Sequence, residues 1–245
     1  KYHKLNMVKL LTCKKILHKN GLTFALNKKT KTAGVFRNIY AKGDVLIPRS
    51  VKYKNQKYIV TAIHEKSFQK SKIKSVIFDK KSQLKVIEEN AFYESFIETI
   101  IIPPHVSKIG QNAFAYCQNL RSVLFTEHSE IKSIDKYAFS NSSILENISI
   151  PSCVRELKEG WFYDSHDKLK ITIIPTKNRL ISYYDDAFII GKYENLNAIL
   201  FARRNIKVVS IPSFIQIIAP YAFYKCTKLT KIAFSKNSSL IRICK

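Results

Sequence analysis

The sequence predicts a repeat solenoid: a parallel β-sheet that gains one strand per repeat, short turns or irregular segments on the convex side, and an N-terminal β cap. Three observations carry this. A phenylalanine recurs at Phe68, Phe92, Phe114, Phe139, Phe162, Phe188 and Phe223, with spacings of 24, 22, 25, 23, 26 and 35 residues. Other columns keep step with it. Five positions earlier stand Ile63, Ile87, Ile109, Ile134, Leu157, Tyr183 and Ile218, and three positions later Ser71, Ser95, Cys117, Ser142, Ser165, Gly191 and Cys226, all of them small. Between these boxes run short segments of alternating apolar residues, the signature of strands with one buried face.

The elements follow in chain order. Residues 1–58 read as the cap with a divergent first repeat, since an open-ended stack needs a terminal unit with a polar outer face. Within it, "LTFALNKKTKTAGVF" reads as two strands around a polar turn, and "DVLIPRSVKYKNQKYIVTAI" as the divergent repeat with a hairpin at Lys54–Gln56. Residues 59–245 read as about seven repeats. Their inward triplets are Ile73/Val76/Phe78, Ile97/Ile100/Ile102, Leu120/Val123/Phe125, Leu145/Ile148/Ile150, Ile206/Val209/Ile211 and Leu229/Ile232/Phe234. Written out, this is L-x-x-I-x-I, the strand segment of a leucine-rich repeat. The fifth copy, Leu169/Thr172/Ile174, breaks the pattern, and Ile171 and Ile173 point to a one-residue slip that would exchange its faces. Pro103, Pro151, Pro175 and Pro212 close strands where a missing N–H does no harm. An insertion near 189–205 reads as a protruding loop or hairpin. The chain opens on Lys1 and closes on "SSLIRICK", which matches "SQLKVIEE" and stops before the next Ala-Phe, so a fragment is expected.

One unit of this size cannot bury its own apolar face. Five or six apolar columns, at roughly 1.5–3 kcal/mol for each fully buried side chain, give a gross term on the order of 10 kcal/mol per repeat. Chain entropy removes most of it, so each repeat depends on its neighbours.

The 245 residues carry 42 Lys+Arg against 18 Asp+Glu, a net charge of +24. Residues 1–81 hold 21 basic and 3 acidic residues (+18), and residues 82–245 hold 21 and 15 (+6). An anionic-glycan or nucleic-acid surface is therefore a candidate at the N-terminal end, with Lys66, Lys70, Lys72 and Lys74 as its cluster. Against it, 34 of the 42 are lysines, as an AT-rich genome also yields, and the arginine forks that read bases are scarce.

No enzyme emerges. Phosphate-cradling, dinucleotide, zinc-protease and nucleophile-elbow motifs are all missing from the sequence. Asp164–Ser165–His166–Asp167 holds triad letters, but adjacent residues cannot converge as a triad does. Cys13 and His18 lack two further ligands for zinc, so no metal, cofactor or small-molecule substrate is implied. Cys13, Cys117, Cys153, Cys226 and Cys244 form no disulfide framework, and Cys117 and Cys226 read as packed small residues. No apolar run reaches the roughly 20 residues of a membrane helix, and no secretory signal is visible.

The stretches "IETIIIPPHVSKIGQNAFAYCQNL", "LENISIPSCVRELKEGWFYDS" and "VVSIPSFIQIIAPYAFYKCTKL" resemble the BspA-like (Treponema pallidum-type) leucine-rich repeat family, over roughly residues 59–245. The third and seventh repeats lack the proline after the strand, and Trp161 replaces alanine. The resemblance implies a surface-exposed or secreted protein that adheres to host or matrix proteins. An intracellular scaffold of the same fold is the rival reading.

On such a sheet the residues between the inward ones face solvent along the concave side. One outward column runs Ile77, Ile101, Leu124, Ser149, Ile173, Ser210 and Ala233, and a second starts at Ser75, Thr99 and Ser122. An apolar strip of Ile77, Ile101, Leu124 and Ile173 flanked by Ser75, Thr99 and Ser122 is the expected partner-binding site. The alternative is that these aliphatics are simply good strand formers.

Overall fold

The computed structural model describes residues 15–166 and 168–245. Cys13 lies outside the described residues. Strands Lys42–Ile47, Lys72–Phe78, Thr99–Ile102, Ser122–Phe125, Asn147–Pro151 and Lys170–Ile174 form a six-stranded parallel sheet, each pairing with the next in chain order. The opposite side, where the sequence predicts only short turns or irregular segments, carries a second parallel ladder. Its rungs are the two-residue strands Val86–Ile87, Lys108–Ile109, Ser133–Ile134 and Glu156–Leu157. Two residues are too few to show an alternation, which is why the pattern leaves them unassigned.

The cap enters this second ladder directly. Strands Lys15–Lys19, Leu22–Asn27 and Thr32–Val35 run antiparallel, and Thr32–Val35 then pairs in parallel with Gln56–Ile63. Asn20–Gly21 and Lys54–Asn55, all four with positive φ, make the two-residue hairpin turns.

A third ladder stacks the turns. The amide of Phe68 donates to Ala91 O, Phe92 to Ala113 O, Phe114 to Ala138 O and Phe139 to Trp161 O. The rings follow that spine. Phe68, Phe92, Phe114, Phe139 and Phe162 stack with centroids 5.2, 4.9, 5.4 and 5.4 Å apart and planes within 20° of parallel. At two turns the small residue three positions on also bonds back to the preceding phenylalanine's carbonyl, whereas Ser165 Oγ is buried without a hydrogen-bond partner. Ser142 Oγ donates to Phe114 O at 3.0 Å, and Cys117 Sγ to Phe92 O at 3.0 Å. Cys117 is fully buried, and burial pushes its thiol pKa up to about 12, so it is inert packing rather than a nucleophile.

The ladder breaks once. Phe188–Tyr193 and Leu196–Ala202 form an antiparallel hairpin turned at Glu194–Asn195. It does not protrude: Leu196–Ala202 joins the parallel order through Ala198 and Ile199 opposite Ile217 and Ile218. The amide of Ala202 donates to Ala222 O, the bond that a ladder phenylalanine makes elsewhere. Phe188 therefore leaves the phenylalanine column. It sits in a second core with Val209, Ile211 and Ile215, edge-on to Phe223 at 5.8 Å. Phe201 continues the first core instead, 6.5 Å from Phe162 and 6.4 Å from Trp161.

Candidate protein-interaction face

Strands of the six-stranded sheet bury every second side chain, and the register fixes what the other side presents. Val76, Ile100, Val123 and Ile148 lie opposite one another inside. Outside, Leu46 stands opposite Ile77, and Ile101 opposite Leu124. These four are 63%, 54%, 57% and 42% exposed and make one continuous apolar strip. At about 4.8 Å per strand the strip runs about 14 Å across the sheet.

Ile77, Ile101 and Leu124 thus occupy the outward column that the alternation predicts. Leu46 is a member that sequence reasoning missed. Its strand precedes the regular spacing, since the hairpin 50–63 separates it from the next rung by 31 residues rather than about 24. The signal was there in "VLIP", which parallels "IIIP" of the third strand.

Ile173 does not belong to the strip. It pairs with Ile150 and packs against the core, Ile171 pairs with Ile148, and Thr172 takes the outward place opposite Ser149. The slip exchanges the faces of that strand, because successive side chains alternate. The strip therefore ends at Leu124, bounded by Ser149 and Thr172. Beyond the break, Val208 is exposed, but Ser210 and Ala233 stand opposite each other in the strip's column.

Two polar columns flank the strip. Ser75, Thr99, Ser122 and Asn147 stand opposite one another, and Asp44 extends the row by accepting the Ser75 hydroxyl at 2.7 Å. One position before them come Lys74, Glu98, Arg121 and Glu146, all exposed and alternating in sign, with each backbone amide bonded to the previous carbonyl. Among the described residues these four form no ion pairs with one another.

The other candidates dissolve into structure. Asp164 pairs with Lys225 at 2.6 Å and Ser165 is buried in the small-residue column. Among the described residues no three His, Cys, Asp or Glu side chains are grouped to hold a metal, and no helix is long and apolar enough to cross a membrane.

Comparison with known proteins agrees with this architecture. The BspA type leucine rich repeat region matches in six copies over residues 49–169 and 194–244. The crystal structure of the pneumococcal vaccine antigen PcpA superposes with a TM-score of 0.71 at 21% identity, over 94% of this chain and 70% of that one. A leucine-rich repeat protein from Bacteroides ovatus gives 0.64 at 24%, over 94% and 55%, so the chain spans about half of that relative. The Treponema pallidum leucine-rich repeat protein gives 0.58 at 17%, over 89% and 82%. No curated protein matches. At these identities the structural neighbours speak for the fold alone. The family match covers well over half of the sequence, and the chain belongs to the BspA-type leucine-rich repeat family.

Proposed function

We propose that this chain is a non-enzymatic protein-recognition module, displayed at a cell surface or secreted, that adheres to a host or matrix protein through the outer face of its six-stranded sheet. The observation that carries the reading is the strip Leu46, Ile77, Ile101 and Leu124, four large apolar side chains held in register on the outer face of the sheet. Exposed contiguous apolar surface on a soluble fold costs solubility and marks contact sites. The flanking charges would set register and partner choice more than affinity.

The spacing favours one kind of occupant. A helix laid across the strands offers one apolar side chain per turn of about 5.4 Å, near the rung spacing of about 4.8 Å. An extended segment repeats on one face only every 6.6–6.8 Å or so and drifts out of step. The partner is therefore a protein that presents an amphipathic helix.

The test is the triple change Ile77→Ser, Ile101→Ser and Leu124→Ser, with thermal melting and adhesion to immobilised matrix proteins and host cells measured on the same preparation. An unchanged melt with adhesion lost supports the site. Full adhesion with an unchanged melt moves binding elsewhere on the molecule, and a collapsed melt inverts the faces. Antibody labelling of intact cells against permeabilised ones tests the placement at the surface.

A further inference from the structure

A second surface lies at the N-terminal end of strands Lys42–Ile47 and Lys72–Phe78. Residues 37–41 join the cap to the first strand of the sheet, and they are pinned. Asn38 is buried; its Oδ1 accepts from Thr23 N at 2.8 Å, its Nδ2 donates to Thr23 O and Phe36 O at 3.2 Å, and its carbonyl accepts from Ala41 N at 3.0 Å. On this fixed loop Tyr40 is 92% exposed, with Ile39 also exposed beside it. Its ring stands almost wholly in water, where an aromatic side chain gains nothing from burial.

Beside Tyr40 the charges are arranged against stability. Lys42 and Lys72 stand directly opposite each other in the parallel pair, and the Lys72 amide donates to Ala41 O at 3.0 Å. Like charges in that position repel. Among the described residues neither forms an ion pair, while Lys66 meets Glu65 at 3.0 Å and Lys70 meets Glu94 at 3.5 Å. Ile39, Tyr40, Lys42, Gln69, Lys70 and Lys72 line an open depression of about 510 Å³. The broad lysine cluster that the sequence offers thus resolves into a concave site with two uncompensated ammonium groups and one flat aromatic wall.

We propose that this depression binds a sulfated polysaccharide. Lys42 and Lys72 bracket one sulfate, which relieves their repulsion, and Lys70 and Gln69 meet the adjoining polar groups. The apolar face of a sugar ring lies on Tyr40. Lysines suffice here, because a sulfate ester on a flexible chain needs point charges rather than a planar fork. A single-stranded nucleic acid would ask for a succession of stacking platforms along a basic groove. Tyr40 is the one aromatic residue lining the depression, and the guanidinium of Arg37 lies over the Phe36 ring at 5.0 Å. The site is separate from the apolar strip, so the two proposals stand or fall independently.

The test uses a size-defined heparin oligosaccharide as probe, with affinity read as a function of salt for the whole chain. Lys42→Gln with Lys72→Gln is expected to weaken binding by at least about tenfold and to flatten the salt dependence, since contacts that release counterions are lost. Tyr40→Ala is expected to weaken it by about fivefold or more with the salt slope kept, as loss of one stacking platform does. Lys28→Gln with Lys29→Gln, which removes the same charge from an exposed cap turn, should stay within about twofold. The glutamine pair removes a repulsion, so its melting temperature holds or rises, and Tyr40→Ala changes an almost fully exposed site. The proposal is overturned if the cap-turn control weakens binding as much as the pocket pair, or if Tyr40→Ala has no effect. It is also overturned if poly-glutamate, or single-stranded DNA of equal charge, binds as tightly as the oligosaccharide. The first two outcomes would assign the affinity to generic charge, the third to an acidic peptide and the fourth to a nucleic acid.

Discussion

Gly160 sits where the ring of Tyr137 covers the next turn: a Cβ on Gly160 would come 2.4 Å from Tyr137 Cε1 and 2.6 Å from Cδ1. Gly160 also has φ +61°, yet that alone does not demand glycine, because Asn90, Asn112 and Tyr137 hold the same place before their phenylalanines at φ +51° to +56°. What differs is the neighbour. Tyr137 is anchored, its hydroxyl donating to Glu159 Oε1 at 3.2 Å and its ring edge-on to Tyr163 at 6.3 Å.

Gly160→Asn is therefore expected to destabilise by about 1–3 kcal/mol, as overpacking does. Placed in a Tyr137→Ala background, the same change should cost much less, because the clash has gone. Chemical denaturation of the two single variants and the double variant measures the coupling. Additive losses would mean that backbone conformation, not the ring, selects glycine here.

The stacked rings make a second expectation. Phe114 lies between Phe92 at 4.9 Å and Phe139 at 5.4 Å, fully buried and nearly parallel to both. Phe114→Ala should cost about 3–5 kcal/mol, the range for a core aromatic, read by urea or thermal unfolding. A loss under about 1 kcal/mol would contradict the register of the whole ladder.

The phenylalanine column was legible because one residue per turn must fill the same gap, and the period holds from Phe68 to Phe162. Its misreading at Phe188 has a physical origin. Ala187–Phe188 imitates the Ala-Phe box, but the chain there is an antiparallel strand of the hairpin, and the box's backbone bond is made by Ala202. A usable signal existed, since Phe201 precedes Phe223 by 22 residues, a normal repeat spacing. The outward column was legible wherever alternation held. It failed at Ile173, where the slip leaves apolar residues at every position from Ile171 to Ile174 except Thr172. The basic depression was not legible, because Tyr40 and Lys72 are 32 residues apart and only the parallel pairing brings their strands together.

That hairpin carries its own expectation. Phe201 touches Phe162 and Trp161 at its edges, and the Arg204 guanidinium lies 4.4 Å from its ring centre. Phe201→Ala should cost about 3–5 kcal/mol, as Phe114→Ala does. If Phe201 were on a protruding loop, the change would be silent in the melt.

Acid should weaken the solenoid at Asp135. Burial pushes the Asp135 carboxyl up, but Lys108 at 2.8 Å and Lys158 at 2.7 Å more than offset this and hold it below the usual aspartate value. A carboxylate whose pKa is lower folded than unfolded adds stability above the unfolded value of about 3.9. That stability is lost as pH falls through the folded value. Melting temperature measured from pH 7 down to pH 2 should drop below about pH 4, and Asp135→Asn should be less stable at pH 7 and show a shallower fall. An identical fall in the variant would assign the acid sensitivity to other carboxylates.

The face assignment is tested most sharply by two residues that composition cannot tell apart. Leu46 and Ile173 are both large aliphatics on strands of the same sheet, and an alternation counted from the regular repeats finds only Ile173. In the structure Leu46 stands outside opposite Ile77, and Ile173 stands inside opposite Ile150. Leu46→Ser should leave stability within about 0.5 kcal/mol, as at most surface positions. Ile173→Ser should cost roughly 1–3 kcal/mol, because it puts a hydroxyl against the core and removes packed methyl groups. Adhesion should show the reverse order. Leu46→Ser should weaken it to the same degree as Leu124→Ser, since each removes one side chain from an end of the strip, while Ile173→Ser should leave it intact in the folded fraction. If Ile173→Ser lost adhesion at full stability, the partner would cross the sheet beyond Leu124, and the strip would have to be drawn through the fifth strand after all.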